Sequence, residues 1–475
     1  MTNRTDGVSR RKFILATGAV SVAGLAGCSE TEEQDAAIQK VEASDPETDE
    51  SVVDPDGWAT KYSERQQVHL TDELDSSGDP AWDQSEHPHV YVTSNGPGYS
   101  GQLSSVDLPG ISIVDADTHE EVVSKQFDLG IDEPFEPHGC AVSPDGKWIY
   151  SLTGGGGFST GTGRLMIVNA ETLKIDKILT TAGMPHHVKT FELYDGRPVV
   201  LAYTFNWYNA EPMRESTTGM IVMDPADDHR VIGGIDGEML QEHPYLAFPH
   251  PDGRHLLISC PDGKHEHVDG LWAVVEMENW TAVDFFPGGL GPIYGAFTVD
   301  GRHAYLGASY EDTVFKYDAA ANEVVDESNS GTFGLYGVTL SPDENSLYTV
   351  GKGEGSHNVG KTLGKVDTTS MNAVDEFDYG VTRGDHALVN PFQPSELWIS
   401  GNASFNDVVW DMETDQRVEN IEKSGSSHNG AFVDYETDDE WKVVFDQAGW
   451  HGWARDEQMD RVGADEVVEW GSEDV

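Results

Sequence analysis

A recurring turn constrains this chain more than any other feature. In the stretch Pro137-His138-Gly139-Cys140-Ala141-Val142-Ser143-Pro144-Asp145-Gly146-Lys147-Trp148-Ile149-Tyr150, a Pro-Asp-Gly turn separates two short apolar runs. Aspartate and glycine suit the tight link of a hairpin, because one bonds back to the backbone and the other tolerates positive φ. The chain then passes through a Gly-rich loop to Arg164-Leu165-Met166-Ile167-Val168-Asn169 and Ala170-Glu171-Thr172-Leu173. That order is strand, turn, strand, loop, strand, Asx turn, strand, a four-stranded antiparallel meander. The turn returns as Pro251-Asp252-Gly253-Arg254, Val299-Asp300-Gly301-Arg302 and Ser341-Pro342-Asp343-Glu344.

Two counts give the number of units. Third strands occur at Ile113-Val114-Asp115, Ile167-Val168-Asn169, Ile221-Val222-Met223-Asp224, Val274-Val275-Glu276, Phe315-Lys316-Tyr317-Asp318, Lys365-Val366-Asp367 and Val408-Val409-Trp410-Asp411. First strands open near His138, His187, Tyr245, Tyr294, Tyr336, His386 and His428, at spacings of 49, 58, 49, 42, 50 and 42 residues. Both counts give seven blade-sized repeats. The first of these third strands has no opener before it, and the last opener has no such strand after it. The expectation is an all-β, seven-bladed β-propeller in which the C-terminal segment supplies the inner strand of the first blade, leaving no long open edge. Eight blades remain an alternative, since Trp441-Lys442-Val443-Val444-Phe445 is one strand too many.

The ends of the chain carry other signals. Ser9-Arg10-Arg11-Lys12-Phe13 is a twin-arginine motif, an apolar run follows to Ala26, and Leu25-Ala26-Gly27-Cys28 reads as a lipobox. The apolar run is short for a membrane span, and the small residues before Cys28 suit a signal peptidase. The expected organisation is a signal peptide over 1–27, a lipidated acidic linker over 28–80, the propeller over 81–455 and an acidic tail over 456–475. Arg10 and Arg11 direct export, and a lipid on Cys28 holds the domain at the outer face of the membrane. Lys and Arg number 29 against 84 Asp and Glu, a formal charge of −55 over 475 residues. Such a surface repels phosphates and excludes nucleic acid as a partner. Its even spread resembles the proteins of halophilic archaea. The expected partners are the membrane, through the lipid, and a redox protein; the domain itself is read as a monomer.

Val90-Tyr91-Val92-Thr93-Ser94-Asn95, together with the Asp-Gly turns, resembles the YVTN-type propellers over roughly residues 85–450. That superfamily is similar to the haem-carrying propeller of cytochrome-type nitrite reductases and the copper-carrying propeller of nitrous oxide reductase. The resemblance implies architecture more than chemistry. The seven-histidine copper cluster of the latter is not matched, because three ring positions here are tyrosine. No Cys-x-x-Cys-His haem attachment site, Gly-x-Ser-x-Gly or His-Glu-x-x-His motif occurs.

In ring order the openers read His428, His138, His187, Tyr245, Tyr294, Tyr336 and His386. Four histidines on adjacent blades at one channel mouth suit a borderline metal, with copper favoured and zinc also served. His186 adjoins His187 and should point to the opposite side. Cys140 lies two residues from His138 and should face the same way, adding a thiol. Tyr245, Tyr294 and Tyr336 would tune or close the site, and Trp207 and Tyr208 in a long loop would roof a flat cofactor, a haem-type tetrapyrrole. The competing reading is a channel without cofactor, in which these residues bond across blades or to water in a cell-surface binding or scaffold propeller.

Two outcomes follow from the chain's ends and charge. Cys28→Ser should release the domain or leave it unprocessed, read by membrane fractionation; a processed, membrane-bound variant refutes lipidation. The melting temperature should fall as molar salt is diluted to about 0.01 M, where the Debye length grows to about 30 Å. An unchanged value refutes the halophile reading.

Overall fold

The computed structural model describes residues 68–70, 82–96, 108–127, 139–154, 163–181, 184–205, 219–236, 240, 244–261, 270–353, 360–380 and 383–472. The signal, Cys28 and most of the linker lie outside them. The described strands form seven antiparallel blades in a propeller. Blade 1 joins both ends of the chain: its inner strand is Gly430–Asp434, followed outward by His89–Asn95, Gly110–Asp115 and Glu121–Gln126. Blades 2 to 7 follow in chain order, with inner strands Cys140–Val142, Met184–Glu192, Leu246–Pro249, Pro292–Phe297, Leu335–Leu340 and Gly384–Val389. Closure from the C-terminal segment is as the repeat count requires.

Side-chain chemistry explains the regularity of each blade. The acid or amide that ends a third strand turns back to accept the next free N–H groups. Asp115 Oδ1 accepts from Asp117 and Thr118 at 3.0 and 2.8 Å, Asn169 Oδ1 from Glu171 and Thr172 at 3.1 and 2.8 Å, and Asp318 Oδ1 from Ala320 and Ala321 at 3.0 and 3.1 Å. Each third-to-fourth-strand turn also carries a non-glycine residue at positive φ: His119, Leu173, His229, Trp280, Asn322, Met371 and Asp415. These Asx turns fix the strained residue in place.

The outer edges differ in a way the sequence accounts for. Glu323–Asn329, Asn372–Asp378 and Gln416–Glu422 are exposed fourth strands rich in carboxylates, which discourage pairing with another chain. The outer strand of blade 2, Ile175–Thr181, buries Ile178 and Leu179, and Val68–Leu70 pairs with it as a fifth strand, with Val68 opposite Leu179. That segment falls inside the stretch read as tether; its three residues give no strand signal by themselves.

The strand that suggested an eighth blade turns inward instead. Val443–Asp446 pairs with the inner face of Gly430–Asp434, Phe432 opposite Phe445, and forms a short hairpin with Gly449–Trp450. Asp446 Oδ2 accepts from the Thr190 N–H at 3.2 Å, and the Gln447 carbonyl accepts from Lys189 Nζ at 3.4 Å. The hairpin thus plugs the lower channel. Helix α1 (Gly452–Val462) then crosses the underside, where Arg455 Nη2 donates to the Pro251 carbonyl and Gln458 Nε2 to that of Pro342. Trp470 packs beside His250, His255 and Tyr317. Residues 456–472, read as an acidic tail, are docked on the propeller.

Blade 7 is clamped to blade 1 by His119, whose Nε2 lies 3.1 Å from Glu396 Oε2 and whose Nδ1 lies 2.9 Å from Glu419 Oε2. Hydrogen bonding to Glu396, then Glu419, outweighs burial and raises the imidazole pKa to about 9. A raised folded-state value means the clamp contributes fully below the unfolded value near 6.5 and is lost as pH rises through about 9. Thermal stability should therefore decline across that window, and His119→Gln should flatten the decline. An identical pH profile in the variant would refute the clamp.

Candidate functional site

The upper end of the channel is built on broken strand pairing. In blade 7, Gly384 faces Gly401 and Ala387 faces Ile399, so Asp385 and His386 together oppose Ser400. In blade 3, Pro185 faces Thr204 and Val188 faces Ala202, leaving His186 and His187 against Tyr203. The inner strands of blades 5 and 6 slip at the same level, beside Tyr294 and at Tyr336. Bulges of this kind re-aim side chains, so the rule of alternate faces fails where it was applied. Gly337 allows the neighbouring bulge in: a Cβ there would lie 2.7 Å from the Asp385 carbonyl oxygen.

The result is a continuous ring contact across the channel. His186 and His187 meet at 4.2 Å between centroids, instead of pointing apart, and His186 lies 5.0 Å from Tyr245. His187 meets His386 at 5.2 Å, and His386 lies 5.2 and 5.3 Å from Tyr294 and Tyr336. The hydroxyls of Tyr245 and Tyr336 are hydrogen-bonded at 2.9 Å. His428 joins from blade 1, its Nδ1 2.5 Å from Asp385 Oδ2, while Lys352 Nζ forms an ion pair with Asp385 Oδ1 at 2.8 Å. Lys352 also sits 3.7 Å from the Tyr336 ring centroid.

All of these groups are buried, which sets their charge. Burial drives the His186 and His187 pKa values well below the ordinary value and lowers that of His386 to about 3. Burial alone would raise Asp385, but the Lys352 ammonium, first among its charged neighbours, outweighs it and holds the carboxylate well below its ordinary range. Lys189, deeper in the channel and 3.7 Å from the Phe248 ring centroid, is lowered to about 7 by burial. The site therefore holds one anchored carboxylate beside neutral imidazoles that keep a lone pair.

His386 is 1% exposed, and neither ring nitrogen makes a hydrogen bond; Asp385 Oδ1 is 4.0 Å from Nε2. Among the described residues no three His, Cys, Asp or Glu side chains are placed to hold one metal ion. The donor set expected for copper is thus not assembled there. Cys140 packs with the apolar core against Val90, Val142 and Ile149, and burial pushes its thiol pKa up, so it offers no thiolate. His138, Trp207 and Tyr208 lie outside the described residues. Sequence reasoning missed Asp385 and Lys352; the signals were an acid directly before an opener, in Gly384-Asp385-His386, and a lysine just past the second strand of blade 6.

Fold and channel together define a seven-bladed β-propeller. Among solved structures, the chain is similar to a candidate 6-phosphogluconolactonase of Bacteroides fragilis, at 18% identity over 72% of this chain and 98% of that one, TM-score 0.52. It is similar also to a periplasmic gluconolactonase of Pseudomonas aeruginosa, at 16% identity over 72% and 99%, TM-score 0.51. A dihydro-haem d1 dehydrogenase, at 14% identity over 81% and 82%, has a TM-score of 0.47, too distant to bear on the site. These likenesses carry the fold alone. No family model and no curated protein matches the chain.

Proposed function

We propose that this chain is an extracytoplasmic binding propeller, tethered through Cys28, whose upper channel takes a metal-bearing cofactor of the tetrapyrrole class for redox metabolism or cofactor handling. The observation that carries this reading is His386, a buried imidazole with both ring nitrogens bare. Leaving a buried polar group unpaired costs about 1–3 kcal/mol, and such groups in native proteins mark an absent ion, water or functional partner. A bare copper ion takes several protein donors, which the described residues do not bring together; a metal in a macrocycle needs only one or two. A neutral imidazole at His386 fits that single-donor demand.

His386 would be the ligand. Asp385, held by Lys352 and His428, would fix the charge beneath it and orient His428, as carboxylates orient ligating imidazoles. Tyr294 and Tyr336 would confine the imidazole from two sides and keep water away. Bound there, an iron tetrapyrrole would supply one-electron chemistry. A second reading rests on the hydrogen-bonded pair Tyr245–Tyr336 and the ion pair Asp385–Lys352: the channel end is then structural, with trapped water serving His386 in a cofactor-free binding propeller.

Titration of the purified full chain with haemin, read in the visible spectrum, separates the two. The first reading expects a saturable, histidine-ligated spectrum that His386→Ala weakens by at least about tenfold. The same spectrum in the variant, or none in the parent with no bound metal in protein from its natural host, refutes it.

A further inference from the structure

A second cavity, of about 270 Å³, lies on the underside between blades 3, 4 and 5 and the C-terminal segment. Aromatic rings form its walls: Phe191 and Phe297 from inner strands, Trp441 and Trp450 from the C-terminal segment. Trp441 is fixed by stacking on His451, with centroids 5.1 Å apart and planes 8° from parallel. His451 is held in turn, its Nε2 3.0 Å from Asp446 Oδ1 on the channel plug. The ring is thus positioned before any ligand arrives.

The charge around these walls is mostly negative, three carboxylates against one guanidinium. Glu192 and Asp456 are exposed and Asp439 is half-buried, while the one guanidinium in the lining, Arg455, already donates to the Pro251 carbonyl. Aromatic faces beside carboxylates attract cations, above all those too poorly hydrated to prefer water. A separate observation comes from Gln447, which is 8% exposed and has neither carboxamide atom hydrogen-bonded. It lines an inner space of about 40 Å³ that shares Pro249, Phe297 and the Ala448–Trp450 stretch with the outer cavity. A buried, unpartnered carboxamide there calls for a polar partner.

We infer that this underside cavity binds a small organic cation with an alkylammonium head and a hydroxyl or amide tail. The head sits against Trp441 and Trp450 with Glu192, Asp439 and Asp456 balancing its charge, and the tail reaches Gln447. The outer cavity shares no lining residue with the histidine cluster of the upper channel; the inner space beside Gln447 touches it only through Tyr294.

Choline is the probe, with tetramethylammonium as the tailless cation and dimethylbutanol as the neutral carbon isostere of choline. Binding to the full chain in molar potassium chloride is followed by tryptophan fluorescence. Choline should bind at least about tenfold tighter than dimethylbutanol, because only it gains the cation–π attraction. Gln447→Leu should weaken choline several-fold and leave tetramethylammonium unchanged; Trp441→Leu should abolish both. If Trp441→Leu fails to fold, the isostere comparison and Gln447→Leu decide. Equal binding of choline and dimethylbutanol, no choline binding, or choline affinity untouched by Gln447→Leu overturns the inference.

Discussion

The structure depends on one strand pair. Gly430–Asp434 lies antiparallel to His89–Asn95, with Val90 opposite Val433 and Tyr91 opposite Phe432. Without this pair blade 1 has no inner strand and both ends of the repeat series are open edges. The same C-terminal stretch does more than close the ring. It brings His428 to the upper channel just before the strand, and the plug to the lower channel just after it. Closure, candidate site and plug are therefore one continuous piece of chain, and a change in its register would disturb all three.

Charge is distributed with an opposite logic inside and out. Outside, carboxylates stand on open outer strands with little compensation, and the outer strand of blade 2 is paired with Val68–Leu70. Inside, buried charges are paired: Asp385 with Lys352 at 2.8 Å, Asp407 with Lys423 at 2.6 Å, and Asp407 again with Ser427 at 2.7 Å, while Lys189 rests on the Phe248 ring and the Gln447 carbonyl. Breaking such a pair leaves a bare charge in a poorly polarisable interior, a cost far above that of losing a surface pair.

The architecture was legible in the sequence because its signals are local. Asp-Gly turns and the Asx residue closing each third strand act within a few positions, and their recurrence gives the blade count directly. The openers His187, Tyr245, Tyr294, Tyr336, His386 and His428 do meet at one channel end, as a ring of inner strands requires. What could not be read was orientation. Strict alternation put His186 and His187 on opposite sides and turned Cys140 toward the histidines. Bulges opposite Tyr203 and Ser400 overrule that pattern for the histidines, and a bulge is a property of paired strands, invisible in either strand alone; Cys140 sits in regular pairing and belongs to the apolar core. Asp385 escaped notice for the same reason. The strand Val443–Asp446 was legible as a strand, but its turn into the channel is decided by contacts with Thr190 and Lys189 far away in sequence.

The position of the plug has a consequence for the life of the chain before it is complete. Synthesis runs from the N-terminus, so six blades can form while blade 1 still waits for its inner strand and the channel is open from below. Residues 430–447, made after the strands of every other blade, convert that open arc into a closed body, with Phe445 to Gln447 set against strands made long before. A polypeptide cut short by even these few dozen residues exposes an unpaired edge at His89–Asn95 and an unfilled bore. An open edge and exposed apolar surface invite wrong pairing and proteolysis, and the C-terminal hairpin is what removes both.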